Sequence, residues 1–497
     1  MNKIISNSWF FRTVCIMALF INVLVVNGNT GDKSSVVKDE GKVFMAGAAT
    51  SNITPFLGSG IIGGWGTPEA THVHDELHVR CMVLDDGSTK LVFIVAELLG
   101  IYQDVMEEAK RIIEEETGIP KENILISAVH THSAASAMGV GEEFWKWHTG
   151  ESFDDYQKLV IRRMGDVVRI AVNNLEPARI GWGAGNVPEH VFVRRWHMKP
   201  GSDVRNPFGG QDRVAMNPGI GNPNIDRPAG TPDPEVSFIS VQSKEGKPIA
   251  LLANYSLHYV GGVPRGHISA DYFAMFADRI QELLKADRQD PPFVGIMSNG
   301  TSGDVNNINY GGQPESNPPY AKMRKVADDV AREVYRAYNK VEHHDWVPLK
   351  AKREELILKI RKPDNELVQW AEKVKNQPED VKPYHVHEKV YAERHQYLQQ
   401  WPDEANVILQ AFRIGDLGVA AIPCETFAAI GLEIKEKSPL KSTFTIELAN
   451  GYHHYLPTPE QHELGGYETW LGTNFLEKDA SVKIVAKLLG MFNEIYN

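Results

Sequence analysis

The stretch ILISAVHTHSA, residues 124–134, runs from a β-rich apolar segment straight into His130, Thr131 and His132. Side chains two apart in an extended chain share a face, so both imidazoles are expected to project together from a strand end. Four further segments are built alike, each an apolar run that stops at a polar residue of ligand or acid–base type beside glycine or proline. They are PIALLANYSLHYVGG with His258, FVGIMSNGTSGDVNN with Asn299 and Asp304, GVAAIPCETFAA with Glu425, and TFTIELANGYHHYLPT with Tyr452 and Tyr455. Two or three neutral imidazoles, a carboxylate and a place for water form the donor set of a catalytic zinc. Such an ion brings the pKa of its water to around 7 and polarises a carbonyl. There is no HExxH, so the ligands of such a site must be gathered from distant parts of the chain. Histidines at strand ends also serve as hydrogen-bonded structural residues, and the spacing alone leaves both readings open.

Other chemistries find less support. No GxSxG elbow is present, and Ser133 and Ser302 lie near histidines as chance alone would place them. The glycine-rich GSGIIGGWG at 58–66 lacks the capped helix that a phosphate or dinucleotide site requires. Cys424, beside Glu425, reads as a small core residue rather than a ligand.

The elements that must aim these residues alternate strand and helix. LHVRCMVLDD and KLVFIVAELL flank DDGSTK as a hairpin. DVMEEAKRIIEEETGIP has helical period and stops at Gly118 and Pro120. FDDYQKLVIRRMGDVVRIAVNNL, YFAMFADRIQELLKA and KMRKVADDVAREVYRAYNK read as three more helices. The fold class expected is α/β, with mixed β-sheets flanked by helices and a site built from loops at strand ends, where a rigid sheet can aim side chains at one point. Residues 361–405 are polar and helical with almost no apolar stripe. Their YHVHE repeats the His-x-His spacing without a strand before it, so a solvated helical insertion is expected there.

The chain has 497 residues, 42% hydrophobic and 23% charged, an ordinary globular composition. A net charge of -12 and a pI near 5.9, with no block of basic residues, exclude a general nucleic-acid surface. The amino terminus offers Lys3 and Arg12, then an apolar run from Val14 to Val26, then small polar residues, the layout of a secretory signal. That run is short of the roughly 20 residues a membrane span needs. The expected organisation is a signal peptide over 1–29, a polar linker over 30–42, and one interdependent unit over 43–497, placing the mature protein in the periplasm or outside the cell with no transmembrane segment. Cys15 lies inside the signal and lacks the small residue expected before a lipidated cysteine. The remaining Cys81 and Cys424 make no disulfide framework and are expected as buried, unpaired thiols.

Taken in order, AVHTHSA, DPEVSFISVQSKEGKPIALLANYSLHY, SNGTSGDVNN, IPCETF and NGYHHYLPTPEQHELGGYET resemble the catalytic domain of the neutral/alkaline non-lysosomal ceramidases, over roughly residues 44–490. The resemblance implies a zinc amidohydrolase that cleaves the amide of an N-acyl sphingoid base, a lipid or small-molecule substrate. It implies His130, His258, Glu425 and Tyr455 as ligands of Zn2+, with Tyr452 competing for the tyrosine position. His132 would bind or protonate the substrate, and Tyr467 would hydrogen-bond the carbonyl oxygen or oxyanion. Arg194 matches the substrate-contacting arginine, with Arg195 as fallback. At least one of His453 and His454 is expected to be solvent-exposed.

Two departures from the family stand out. Its QSNxGD serine is replaced here by glycine or threonine within MSNGTSGDVNN, with Ser298 and Ser302 shifted, and its carboxy-terminal β-sandwich is not found before Asn497. The reaction class is therefore better specified than ceramide itself. The polar segment 206–234, NPFGGQDRVAMNPGIGNPNIDRPAGTPDP, and ten tryptophans keep a second reading open, an exported esterase, deacetylase or glycan-cleaving enzyme on the same metal site. A wide polar cleft would favour it, a narrow apolar slot would favour ceramide. A non-catalytic glycan- or lipid-binding relic is a third, opposed by the intact His130, His258 and Glu425. Nothing in these patterns sets an oligomeric state.

Overall fold

In the computed structural model, which describes residues 41–139, 143–148, 150 and 152–496, the apolar runs become two sheets. The signal peptide and nearly all of the linker read from the sequence lie outside the described residues. The first sheet holds β1 (Met45–Asn52), β2 (His78–Asp85), β3 (Lys90–Ala96), β4 (Ile124–Ala128), β5 (Glu176–Asn186), β6 (Glu235–Ser243), β7 (Pro248–Tyr255) and β8 (Val294–Asn299). Their spatial order is β8-β7-β6-β5-β1-β2-β3-β4. The second holds β9 (Leu349–Lys359), β10 (Glu404–Ile414), β11 (Leu417–Ile422) and β12 (Ser442–Glu447), in that order. β2 and β3 form the expected hairpin, with Leu84 opposite Leu91.

The four helices read from the sequence are present as α1 (Gln103–Thr117), α2 (Asp155–Asn173), α3 (Asp271–Leu283) and α4 (Ala321–Tyr338). α1 ends on Gly118 in the left-handed region, at φ 71°, the conformation that makes glycine the usual C-terminal stop. Asp154 and Gln157 close a capping box at the start of α2. Later in the chain come α5 (Asn365–Lys375), α6 (Glu388–Gln400), α7 (Ala428–Lys437), α8 (Pro459–Leu464) and α9 (Ala480–Tyr496).

Alternation along the strands sorts the layers. In β3, Val92 and Ile94 join Val105, Met106 and Ile113 of α1, whereas Leu91, Phe93 and Val95 join Phe412, Val419 and Phe444 of the second sheet. The Phe93 and Phe412 rings meet at 5.2 Å, each burying apolar area worth about 1.5–3 kcal/mol. The far face of the second sheet is covered by Ile434 of α7 and by Ile484, Leu488 and Phe492 of α9. The sheets thus pack face to face with helices outside. α3 and α4 cover the β5, β6 and β8 part of the first sheet.

The pairing direction builds the site. Most neighbours are antiparallel, but β3 with β4, β7 with β8 and β11 with β12 are parallel. All five strands that the sequence marked by their endings belong to these three pairs. Parallel partners open their carboxyl ends on the same side, and the register aligns them: Tyr255 stands beside Asn299, and Ile422 beside Glu447. Beyond β12 the chain turns back onto β4, with Asn450 N–H donating to Ile126 O at 2.9 Å. A further short parallel pairing then sets Glu425 opposite Tyr455.

The segment 361–405 differs from the solvated helix expected. Tyr391, His395 and Leu398 of α6 are buried. His395 Nε2 donates to Leu471 O at 3.1 Å and its ring stacks on Phe208 at 5.2 Å. The spacing i, i+4, i+7 is a helical stripe, carried by tyrosine and histidine instead of aliphatic residues. Among the described residues no helix is long and apolar enough to cross a membrane.

Candidate active site

The strand ends converge. The ligand atoms of His130, His132 and His258 all lie within 4.8 Å of one another. Glu425 joins them, with Oε2 at 3.3 Å from His130 Nε2. His130 sits in the left-handed region at φ 70°, a conformation uncommon outside glycine that costs of order 1–3 kcal/mol and clusters at functional sites. It turns the ring so that Nδ1 reaches Leu99 O at 2.8 Å. A carbonyl only accepts, so Nδ1 donates to it and Nε2 is the atom turned towards the cluster.

His130 Nε2 points at another nitrogen, since His132 Nε2 lies 3.2 Å away. The His132 ring also bonds to the Gly63 backbone and stacks on Tyr259 at 3.7 Å. One glycine of the glycine-rich stretch is explained by this contact. A Cβ at Gly63 would lie 2.7 Å from the His132 ring, and Gly63 has φ 118°, so this glycine allows a close approach to an imidazole. His258 faces Ser302 through Nδ1, 3.3 Å from its Oγ, while its Nε2 is buried without a partner. Glu425 Oε2 is likewise buried without a hydrogen bond.

Charge follows from burial. Burial, then the neighbouring His130, holds both His132 and His258 well below the usual imidazole range, so both are neutral at pH 7. Burial alone would raise Glu425, but His130 and the hydroxyls of Tyr455 and Tyr452 bring it down to about 2. Neutral imidazoles beside an ionised carboxylate is the protonation state in which these groups bind a cation.

Both tyrosines reach this carboxylate by different routes. Tyr452 O–H donates to Glu425 Oε1 at 2.7 Å, and the Tyr455 hydroxyl also accepts from Arg194 Nη2 at 3.0 Å. Arg194 is further fixed by Gly303 O and Glu468 Oε1, each at 2.9 Å. Arg195 binds the other oxygen of Glu468 at 2.6 Å but turns to Gln461 and Gly465. Of the two arginines, Arg194 is the one at the site. The Tyr467 ring stands edge-on to Tyr455 at 5.8 Å. Gly303 is the second glycine with a steric reason, because a Cβ there would lie 2.5 Å from Glu425 O.

Some expectations are corrected. His453 and His454 are both buried, at 6% exposure each. Aromatic neighbours close over them, with Phe475 5.2 Å and Trp145 5.7 Å from the His454 ring. Asp304 does not join the ligand cluster: its Oδ1 accepts from Ala428 N–H at 2.8 Å, at the start of α7. Asn299 is buried with its side-chain amide unpartnered by protein. Cys81 and Cys424 are buried and unpaired, as read from the sequence.

Sequence reasoning missed three groups. Glu447, inside β12, accepts from Ser302 N–H, Ser302 Oγ and Thr426 N–H at 3.1, 2.6 and 2.7 Å, tying the His258 and Glu425 loops together. A charged residue within the apolar run TFTIELAN was the available signal. Glu468, next to Tyr467, grips both arginines. Arg394 of α6 lies over the Trp145 ring at 4.1 Å and helps roof the cavity.

The cavity has two lobes that meet at Gly63, Trp65, His132, Tyr455 and Tyr467. One, of about 350 Å³, holds His130 and Glu425 and is walled by Ile62, Leu99, Phe144, Trp145 and Val390. The other, of about 520 Å³, holds His258 and Arg194 and is walled by Asp203, Arg205, Asp212, His385 and His387. The YHVHE histidines therefore face the cavity, where Trp65 stacks on His387 at 3.7 Å.

The neutral/alkaline non-lysosomal ceramidase family, in its N-terminal part, matches residues 44–319, more than half of the chain. The structure is similar to the crystal structure of neutral ceramidase from Pseudomonas aeruginosa, with a TM-score of 0.63, 15% identity, and coverage of 92% of this chain and 75% of that one. It is also similar to a ceramidase complexed with C2, with a TM-score of 0.65, 14% identity and the same coverage. At these identities the two structures speak to the fold, and the family match carries the assignment. The mixed α/β chain with its convergent strand ends belongs to the neutral/alkaline non-lysosomal ceramidase family, hydrolases of the carbon–nitrogen bond of linear amides.

Proposed function

We propose that the protein is a zinc-dependent amidohydrolase that cleaves the amide of an N-acyl sphingoid base or a related acylated lipid. The observation that carries this reading is that His258 Nε2 and Glu425 Oε2 are buried without a hydrogen bond beside the Nε2 of His130, whose Nδ1 is taken up by Leu99 O. Unpaired buried donors and acceptors are costly, and two facing imidazole nitrogens repel unless a proton or cation lies between them. His130, His258 and Glu425 would hold the ion, with the Tyr455 hydroxyl as fourth donor. Zinc there would supply a Lewis acid for the carbonyl and a water acidic enough to react at neutral pH.

The surrounding side chains divide the remaining work. Arg194 keeps a fixed positive charge beside Tyr455, locked by three hydrogen bonds. With Tyr467 it stabilises the oxyanion that develops on the carbonyl oxygen. His132 Nε2, neutral at pH 7, accepts a proton and delivers it to the leaving nitrogen. The aromatic and aliphatic wall of the smaller lobe excludes water and receives the acyl chain. The signal-like amino terminus supports export to the periplasm or beyond.

Elemental analysis of the purified mature protein tests the reading, together with His130→Ala and Glu425→Ala. One zinc per chain, lost with amide hydrolysis in both variants, is the expected result. Full turnover in either variant, or after chelation, would overturn it. The larger, polar lobe favours a second element in the substrate.

A further inference from the structure

We infer that the amine side of the substrate carries a compact polyhydroxylated group, a sugar-like ring rather than an extended hydrocarbon chain, seated in the larger lobe of the cavity. This rests on the amide-hydrolase reading above and chooses between its two substrates, the related acylated compound with a sugar-like amine side rather than the N-acyl sphingoid base.

The two lobes meet at His132, Tyr455 and Tyr467, so a carbonyl held there sends its acyl group one way and its amine group the other. The smaller lobe has the apolar wall that suits an acyl chain. The larger one is walled by two segments with no role in the proposed chemistry, the polar stretch near residue 206 and the YHVHE of the insertion. They are built as one unit. Arg205 Nη1 donates to Tyr384 O at 3.1 Å and its guanidinium lies 5.4 Å from the Tyr384 ring. Asp212 Oδ2 accepts from Trp470 Nε1 at 2.7 Å and from Gly466 N–H at 2.9 Å.

The wall is polar without being an anion site. Arg205 is already paired with Asp203 at 2.9 Å, and Asp212 adds a second negative charge. Burial, then the neighbouring His385 and Arg394, keeps His387 neutral, near pKa 4. A phosphorylated head would meet the carboxylates of Asp203 and Asp212, while both arginines of the lobe are already paired, Arg205 with Asp203 and Arg194 with Glu468. An alkyl tail would lie against Asp203, Arg205, Asp212 and two imidazoles, whose remaining donor and acceptor capacity it cannot use, and would gain little there. A polyol offers donors and acceptors together. Val214, Ala215, Met216, Tyr259 and Trp470 give the same lobe apolar and aromatic surface, against which the C–H face of a ring can lie.

The test uses the zinc-loaded full chain and two amides of one acyl length, N-octanoyl-glucosamine and N-octanoyl-sphingosine, compared by kcat/KM. The sugar amide is expected to be preferred at least tenfold, and Arg205→Ala to move that ratio at least tenfold towards unity. Preference for the sphingosine amide, or a ratio unmoved by Arg205→Ala, would overturn the inference and leave the amide-hydrolase reading standing. Cleavage of neither amide by zinc-loaded enzyme would overturn that reading, and the inference with it.

Discussion

Replacing Glu468 by glutamine removes the one carboxylate between two buried guanidiniums. Glu468 is fully buried, holding Arg194 Nε at 2.9 Å and Arg195 Nη1 at 2.6 Å. Breaking a buried ion pair from one side costs about 3–5 kcal/mol, because the remaining charge keeps its desolvation penalty without its partner. Unfolding entropy near 2.1 cal/mol/K per residue, taken over about 450 residues, is roughly 1 kcal/mol/K. Glu468→Gln should therefore lower Tm by about 3–5 K. Arg194 would keep its contacts to Gly303 O and Tyr455 but lose the one that fixes its orientation, and amide hydrolysis should fall about 10–100-fold through kcat. Thermal unfolding and steady-state kinetics on the zinc-loaded variant read both numbers. Arg195→Met is the control: it leaves the Arg194–Glu468 pair intact, so its effect on kcat should be much the smaller. A Glu468→Gln protein with unchanged Tm and kcat would refute the argument that this carboxylate organises the site.

Two further outcomes follow from the geometry. Gly63→Ala places a Cβ where the His132 ring now stands, 2.7 Å away at φ 118°; kcat/KM should drop about 100-fold as the ring shifts, zinc content should stay at one per chain, and wild-type kinetics would exclude His132 from proton transfer. His395 is held near pKa 4 by burial, below its unfolded value of about 6.5. As the pH falls from 6.5 towards 4 the unfolded chain takes up a proton that the folded chain refuses, so stability is lost across that window, by up to about 3 kcal/mol. His395→Gln should flatten Tm against pH there by about 3 K, and an unchanged profile would show that the buried ring titrates freely.

Much of the site was legible because each contributing strand ends abruptly, with an apolar run giving way to a single histidine, glutamate or tyrosine. His130, His258 and Glu425 could be picked out on that basis and are brought together in the fold. What the local pattern does not carry is pairing direction: nothing in PIALLANY or FVGIMSN states that β7 and β8 run parallel and open on the same side. Burial by distant aromatics was equally hidden. His453 and His454 look like turn residues until Phe475 and Trp145 arrive from elsewhere in the chain. In the insertion the stripe was present at Tyr391, His395 and Leu398, but its amphipathic side chains disguised it as a solvated face. Glu468 escaped notice because its role shows only through the arginines that surround it, and Glu447, although it interrupts an apolar run, shows its role only through Ser302 and Thr426.

The three parallel strand pairs have a consequence for how the protein matures. His130 and Glu425 are nearly 300 positions apart in sequence, and Glu425 reaches its place only once both sheets have packed and the chain beyond β12 has turned back onto β4. Contacts of such separation form late and slowly, because the entropy of closing the intervening chain is lost before the contact can repay it. A partly synthesised or half-folded chain has histidines but no cage. Metal capture is then a signal that folding is complete, and its rate in a refolding experiment should follow the slowest phase of assembly rather than any single strand or helix.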